Sequence, residues 1–264
     1  MDWKILDREL DRWQQAGKIA HFWLRDDDAI EPTTPLDRLL ELSGTFSVPL
    51  TLAVIPARTG EALGDRLQRE PLCSVAVHGW SHRNYANADE KKQELGRHRP
   101  AEDVLSELKQ GFDVLSHLHG DRFVPMLIPP WNRIDAALVP HLTGLGYRAL
   151  SVYGPEKPSA LPLVNTHVDV MDWHGTRGGR DPQALAVEIV ARLRHMFAHG
   201  GAMGLLTHHL VHDAAVWNFM SALFEVTVRH PACRWTPVAD LLQARKFRSD
   251  DNPLRGRSPG RHVP

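Results

Sequence analysis

The stretch Ala20-His21-Phe22-Trp23-Leu24-Arg25-Asp26-Asp27-Asp28 passes from an apolar run straight into three carboxylates. A short apolar run bounded by polar residues reads as a buried strand. Six further runs repeat the pattern, at 49–55, 73–77, 123–128, 147–152, 164–170 and 202–207. Between them lie stretches of helical period, with helices expected to start near Pro35, Gly60, Ala101, Ile134, Pro182, Asp213 and Pro237. Pro182 follows Asp181, a good N-cap, and Leu185, Ile189, Val190 and Leu193 then recur on one helical side. Strands alternating with helices predict an α/β fold with parallel strands.

Outward from this core, the first 17 residues read as an amphipathic helix with Trp3, Ile5, Leu6, Leu10 and Trp13 on one side. The expected organisation is therefore an N-terminal helix (1–18) packed on a domain spanning 19–245. Residues 246–264, aperiodic and rich in Arg, Asp, Pro and Gly, read as a disordered tail. With 42% hydrophobic and 24% charged residues in 264, the composition is that of a globular protein. A net charge of −1 provides no general attraction to nucleic acid or to anionic membranes, so neither is an expected partner. The N-terminal residues lack the basic-then-apolar order of a secretory signal, and no run approaches a membrane span; the expected location is cytoplasmic. Cys73 and Cys233 form no CxxC pair and read as reduced thiols.

Histidine is over-represented, at 16 residues, and several fall beside the apolar runs. The chemically useful side chains collect at the carboxyl ends of the strands. Asp26-Asp27-Asp28 follows the first, His78 the third, Pro129-Pro130-Trp131 the fourth, Asp172-Trp173 the sixth and His208-His209 the seventh. In a parallel barrel or an open parallel sheet those ends share one face, where residues distant in sequence meet. His78 and His82, four apart in His-Gly-Trp-Ser-His, can aim two imidazoles at one point. With a carboxylate from another strand end they make the ligand set of a hydrolytic divalent metal site. Three adjacent carboxylates repel one another unless a cation lies among them, and one of them off the metal is free to accept a proton from water.

The order Asp-Asp, His-x-x-x-His, Pro-Pro-Trp, Asp-x-x-Asp-Trp, Leu-x-His resembles the five motifs of the NodB-homology polysaccharide deacetylases, carbohydrate esterase family four. The match runs from about Phe22 to His209. The resemblance implies an irregular (β/α) barrel of seven or eight mostly parallel strands. It sets Leu24-Arg25-Asp26-Asp27-Asp28 on the Thr-Phe-Asp-Asp-Gly motif, with Thr34-Pro35 starting the first helix. That register makes Asp26 the catalytic base and Asp27, His78 and His82 the metal ligands. Asp172 is expected to orient the catalytic histidine, and His208 to be the general acid, with His209 and His212 as rivals. Trp80, Pro130, Trp131, Trp173 and His209 are the expected substrate contacts. Two departures stand out. Ile128 occupies the place of the family's third-motif Arg, for which Arg25 and Arg133 are the candidate substitutes, and Asp28 occupies the place of a Gly.

The resemblance further implies a metal-dependent hydrolase that removes an N-acyl group, expected to be acetyl, from a small-molecule or oligosaccharide substrate. One divalent ion is required, Zn²⁺ first, with Co²⁺, Ni²⁺ or Mn²⁺ as alternatives. The rival expectations are a C–N hydrolase of a non-sugar amide and a carbohydrate-binding protein that has lost the chemistry.

Overall fold

Eight strands and seven helices make up the computed structural model, which describes residues 2–250, the side chains of 245–250 excepted. The strands are β1 (Ala20–Ala29), β2 (Leu50–Val54), β3 (Cys73–His78), β4 (Phe123–Ile128), β5 (Ala149–Leu150), β6 (Val168–Asp169), β7 (Met203–Thr207) and β8 (Cys233–Trp235). They lie in the order β5-β4-β3-β2-β1-β7-β6, and every pairing is parallel. β8 adds to the N-terminal half of β1. Residues 162–166 hydrogen-bond to 150–154 and lead into β6, so hydrogen bonding continues from β5 round to β7. The sheet thus curls into the expected irregular α/β barrel. β8 has no counterpart in the sequence reading, because three residues between Pro231 and Pro237 are too short to show a period. The helix expected from Ile134 is a 3₁₀ segment, Val139–Leu145, that ends at Gly146 in the left-handed region.

Helices α1 (Lys4–Gln15), α2 (Thr34–Phe46), α3 (Glu61–Leu67), α4 (Ala101–His119), α5 (Pro182–His199), α6 (Ala214–Arg229) and α7 (Val238–Asp250) surround the sheet. Their starts follow from local chemistry. The side chains of Thr33, Asp181 and Asp213 accept hydrogen bonds from the backbone N–H groups of Leu36, Ala184 and Val216, at 3.2, 2.8 and 2.9 Å. α1 buries Leu6, Leu10 and Trp13, with Trp13 edge-on to Phe197 of α5. α7 runs to Asp250, into the segment read as tail, and residues 251–264 lie outside the described residues.

The core has two parts. Phe22 and Leu24 of β1 join the large cluster between sheet and helices. Trp23 belongs to a smaller cluster with Ala53, Ala76, Met126, Ile128, Ala149 and Val164, which fills the barrel interior. Alanines on the neighbouring strands leave room there for the indole of Trp23 and the guanidinium of Arg25, both no more than 1% exposed. This alternation along β1 decides where each of the three following aspartates goes.

Candidate metal centre and catalytic site

On β1, the barrel face carries Trp23, Arg25 and Asp27, while Phe22, Leu24 and Asp26 face the helices. Asp26, expected to be the base, is accordingly withdrawn from the cavity and fully buried. Its carboxylate accepts hydrogen bonds from Thr207 Oγ1 (2.7 Å) and from the backbone N–H of His209 (2.9 Å), and it pairs with His209 Nδ1. Burial raises the Asp26 carboxyl, but the charge and hydrogen bond of His209 outweigh it and the net shift is downward. His209 moves upward for the reciprocal reason, Asp26 overcoming burial. The two form a buried ion pair, so His209, expected to touch substrate, does not line the cavity.

Asp27, expected on the metal, lies instead against Arg25. Arg25 Nε is 2.9 Å from Asp27 Oδ1, and Nη2 donates to Oδ2 at 2.9 Å. The same guanidinium donates to Ser151 Oγ at 2.9 Å and to Asn132 Oδ1 at 2.6 Å. Arg25 therefore sets a positive charge on Asp27 where Ile128 carries none. Arg133 is directed elsewhere, to the carbonyl of Lys92.

Asp28 takes the place expected of Asp27. The β1–β2 register shifts between Asp26 and Ala29, and Asp28 adopts φ 73°, a left-handed conformation that a short polar side chain tolerates. This break in the strand turns its carboxylate toward both imidazoles. Asp28 Oδ1 is 3.2 Å from His78 Nε2 and 3.2 Å from His82 Nε2. Ligand atoms of the three residues all lie within 4.8 Å of one another. His78 Nδ1 donates to the carbonyl of Ile128 at 2.9 Å, which leaves Nε2 as the nitrogen facing Asp28. An acceptor of this kind behind a ligating imidazole is what a divalent ion requires, so these residues fit a metal. Despite burial, the hydrogen bond and charge of His78, with His82 behind, hold the Asp28 carboxyl well below the usual range. Burial lowers His78, but Asp27 and Asp28 more than offset it. His82 is lowered by burial and by its neighbour His78.

The loop carrying His82 is held by a residue the sequence reading did not single out. Glu94, fully buried, accepts from the backbone N–H of Trp80 (3.1 Å) and Ser81 (2.7 Å) and from Ser81 Oγ (2.9 Å). Gly79, at φ 60°, is required there, since a Cβ would lie 2.1 Å from Glu94 Oε2 and 2.6 Å from Pro130. Trp80 and Pro130, expected as substrate contacts, serve this loop instead and do not line the cavity. No local signal marks Glu94, which acts through a turn 13 residues back along the chain.

A cavity of about 900 Å³ opens over the centre. Asp27, Asp28, His78, His82 and His208 lie at its base, and Trp131, Tyr153 and Trp173 form walls. His208 Nε2 is 4.0 Å from Asp27 Oδ2, and the His208 ring meets Trp173 edge-on at 4.7 Å. His212 does not compete for this position. Its Nε2 accepts the backbone N–H of His208, its ring packs on Trp217, and burial holds it down at about 4. Asp172, expected to orient His208, folds back to accept from the backbone N–H groups of Gly175 and Thr176. Asp169 is better placed to act on His208. Its Oδ2 accepts from Trp173 Nε1 at 2.8 Å, and the Trp173 ring in turn meets His208 edge-on. Burial nevertheless raises the Asp169 carboxyl.

No family model matches the chain, and no curated protein matches it by sequence. Solved structures do match. A Mycobacterium smegmatis protein assigned to the polysaccharide deacetylases superposes with a TM-score of 0.64, at 18% identity, over 94% of this chain and 96% of the other. The peptidoglycan deacetylase PdaC from Bacillus subtilis gives 0.57 at 15%, over 90% and 96%. A family 4 acetyl xylan esterase from Clostridium thermocellum, solved in complex with a cobalt ion, gives 0.54 at 14%, over 86% and 92%. With its curled parallel sheet and a centre at the strands' carboxyl ends, the chain has the fold of the polysaccharide deacetylases and family 4 carbohydrate esterases.

Proposed function

We propose that this protein is a metal-dependent hydrolase that removes an N-acyl group, acetyl first, from an amino sugar or related amide. The observation that carries the reading is the convergence, in one cavity, of the Asp28–His78–His82 cluster, the Arg25–Asp27 pair and His208. Folds similar to this one belong to deacetylases and to an acetyl xylan esterase, which supports the reaction class. Arg25 places beside Asp27 the positive charge that Ile128 cannot provide, which supports a working site over a carbohydrate-binding protein that has lost the chemistry.

Asp28, His78 and His82 would hold a divalent ion, Zn²⁺ being the first expectation, and that ion would supply the Lewis acidity that a poorly electrophilic amide carbonyl needs. Asp27 takes the proton of the attacking water, and the fork of Arg25 fixes the orientation of its carboxylate. His208, with Nε2 4.0 Å from Asp27 Oδ2, delivers a proton to the departing nitrogen, which cannot leave as an anion. Asp169 positions this end of the cavity through Trp173. Trp131 and Trp173 offer flat apolar faces to a sugar ring.

The test pairs metal analysis with turnover. The wild-type protein should hold about one equivalent of divalent metal and release acetate from N-acetylglucosamine derivatives. Asp28→Ala should lose the metal. A metal-loaded wild type that releases no acyl group from any acetamido sugar would overturn the reading.

A further inference from the structure

The cavity is larger than one amino sugar needs, and its charges are unevenly committed. Four carboxylates and four Lys or Arg side chains line it. All four carboxylates are engaged: Asp27 with Arg25, Asp28 with the two imidazoles, Asp169 with Trp173, and Asp172 with its own loop. Of the four cations, one is paired with a carboxylate. Arg180 is occupied by Glu188 and by the Asp169 carbonyl. Lys92, Arg133 and Arg177 have no carboxylate partner among the described residues. Lys92 lies 5.9 Å from the Trp131 ring centroid, and Arg133 is tied to the same segment through the Lys92 carbonyl. Arg177 lies on the loop that carries Trp173, pinned by Gly179 N–H donating to Asp213 and by its own N–H donating to the Asp172 carbonyl. Its backbone adopts a φ of 59°, in the left-handed region. In a chain of net charge −1, three unpaired cations around one opening are a local arrangement rather than a general excess.

We infer that the substrate is anionic: an N-acyl amino sugar bearing a phosphate or carboxylate group that Lys92, Arg133 and Arg177 bind at the cavity rim. The inference rests on the proposed deacylation for the identity of the sugar, but not for the anion. Three exposed charge pairs together amount to roughly threefold to a hundredfold in affinity, with about tenfold in the middle of that range, and salt weakens them.

Two measurements separate this from the reaction itself. First, metal-free protein is titrated calorimetrically with N-acetylglucosamine, N-acetylglucosamine 6-phosphate and N-acetylmuramic acid; leaving out the metal removes its own attraction for anions. The expected result is about tenfold tighter binding of at least one anionic sugar than of the neutral one, abolished in about 0.5 M salt. The better of the two anions distinguishes phosphate from carboxylate. Second, kcat/KM is compared on the same three compounds with metal-loaded wild type and the double variant Lys92→Ala/Arg177→Asn. Asparagine at 177 retains the left-handed backbone. The ratio of anionic to neutral kcat/KM should fall toward one in the variant. Equal binding of neutral and anionic sugars, or a ratio unchanged in the variant, would overturn the inference while leaving deacylation standing. Preferential anion binding without turnover of any of the three would uphold the inference and count against the deacylase reading.

Discussion

Asp26 and Asp27 are adjacent on one strand, and both are buried against a cationic partner, yet they do opposite things. Asp26 faces the helices and locks with His209 into a pair sealed from the cavity. Asp27 faces the barrel interior, paired with Arg25 but open to the cavity through Oδ2 and His208. The alternation of side chains along the strand, not the chemistry of the residue, separates a carboxylate sealed among the helices from one that lines the cavity. A one-residue slip of β1 would exchange their roles.

The strongest way to break this comparison is to neutralise each aspartate. Asp27→Asn should lower kcat by about 10³-fold while metal stays bound, as loss of a general base does. Asp26→Asn should retain most of the turnover per folded molecule. Acetate release beside metal analysis reads both, and an inactive but fully folded Asp26→Asn would reverse the assignment.

Stability should show the mirror image. Removing one partner of a buried pair leaves an uncompensated charge, so Asp26→Asn should cost about 3–5 kcal/mol in denaturant unfolding. The apolar double variant Asp26→Leu/His209→Leu should recover much of that loss, since the pair serves packing rather than chemistry.

A smaller effect is expected at Glu94, which holds the His82 loop without touching the metal position. Glu94→Gln should weaken zinc binding by about tenfold, measured by competition with a chelator, as expected for a residue behind the ligands. Unchanged affinity would mean that the loop is set by Gly79 and Pro130 alone.

The smallest effect lies at the other end of the barrel. His119 is buried with both ring nitrogens unpartnered, and burial, with the charge of Arg122, lowers it to about 4. Because its folded value lies below the unfolded one near 6.5, its contribution is complete above about pH 6.5. It is lost as the pH falls toward about 4, where the unfolded chain takes up the proton first. The melting temperature should therefore drop by a few degrees over that window, and His119→Leu should flatten the dependence.

The barrel was legible because buried parallel strands leave continuous apolar runs, and β1, β2, β3, β4 and β7 fall within a few residues of the expected places. β8 left no such trace. The convergence of His78 and His82 on one point was legible from their spacing and from the strand that precedes them. The choice among Asp26, Asp27 and Asp28 was not, although Trp23 and Arg25 share parity with Asp27 along the strand. The motif's register puts Asp26 as the base and Asp27 on the metal, whereas the structure sets Asp27 against Arg25 and Asp28 against the two imidazoles.

The sequence alone determined the strand-helix order, the concentration of polar residues at the strands' carboxyl ends and the pairing of His78 with His82, all set by local periodicity and spacing. Tertiary structure alone decided which aspartate meets the imidazoles, that Arg25 supplies the charge beside Asp27, that Glu94 braces the loop and that Asp169 rather than Asp172 holds the Trp173 ring that meets His208. Each of these depends on which face of a strand or loop is turned inward, and a left-handed residue at Asp28 changes that direction without changing the sequence pattern.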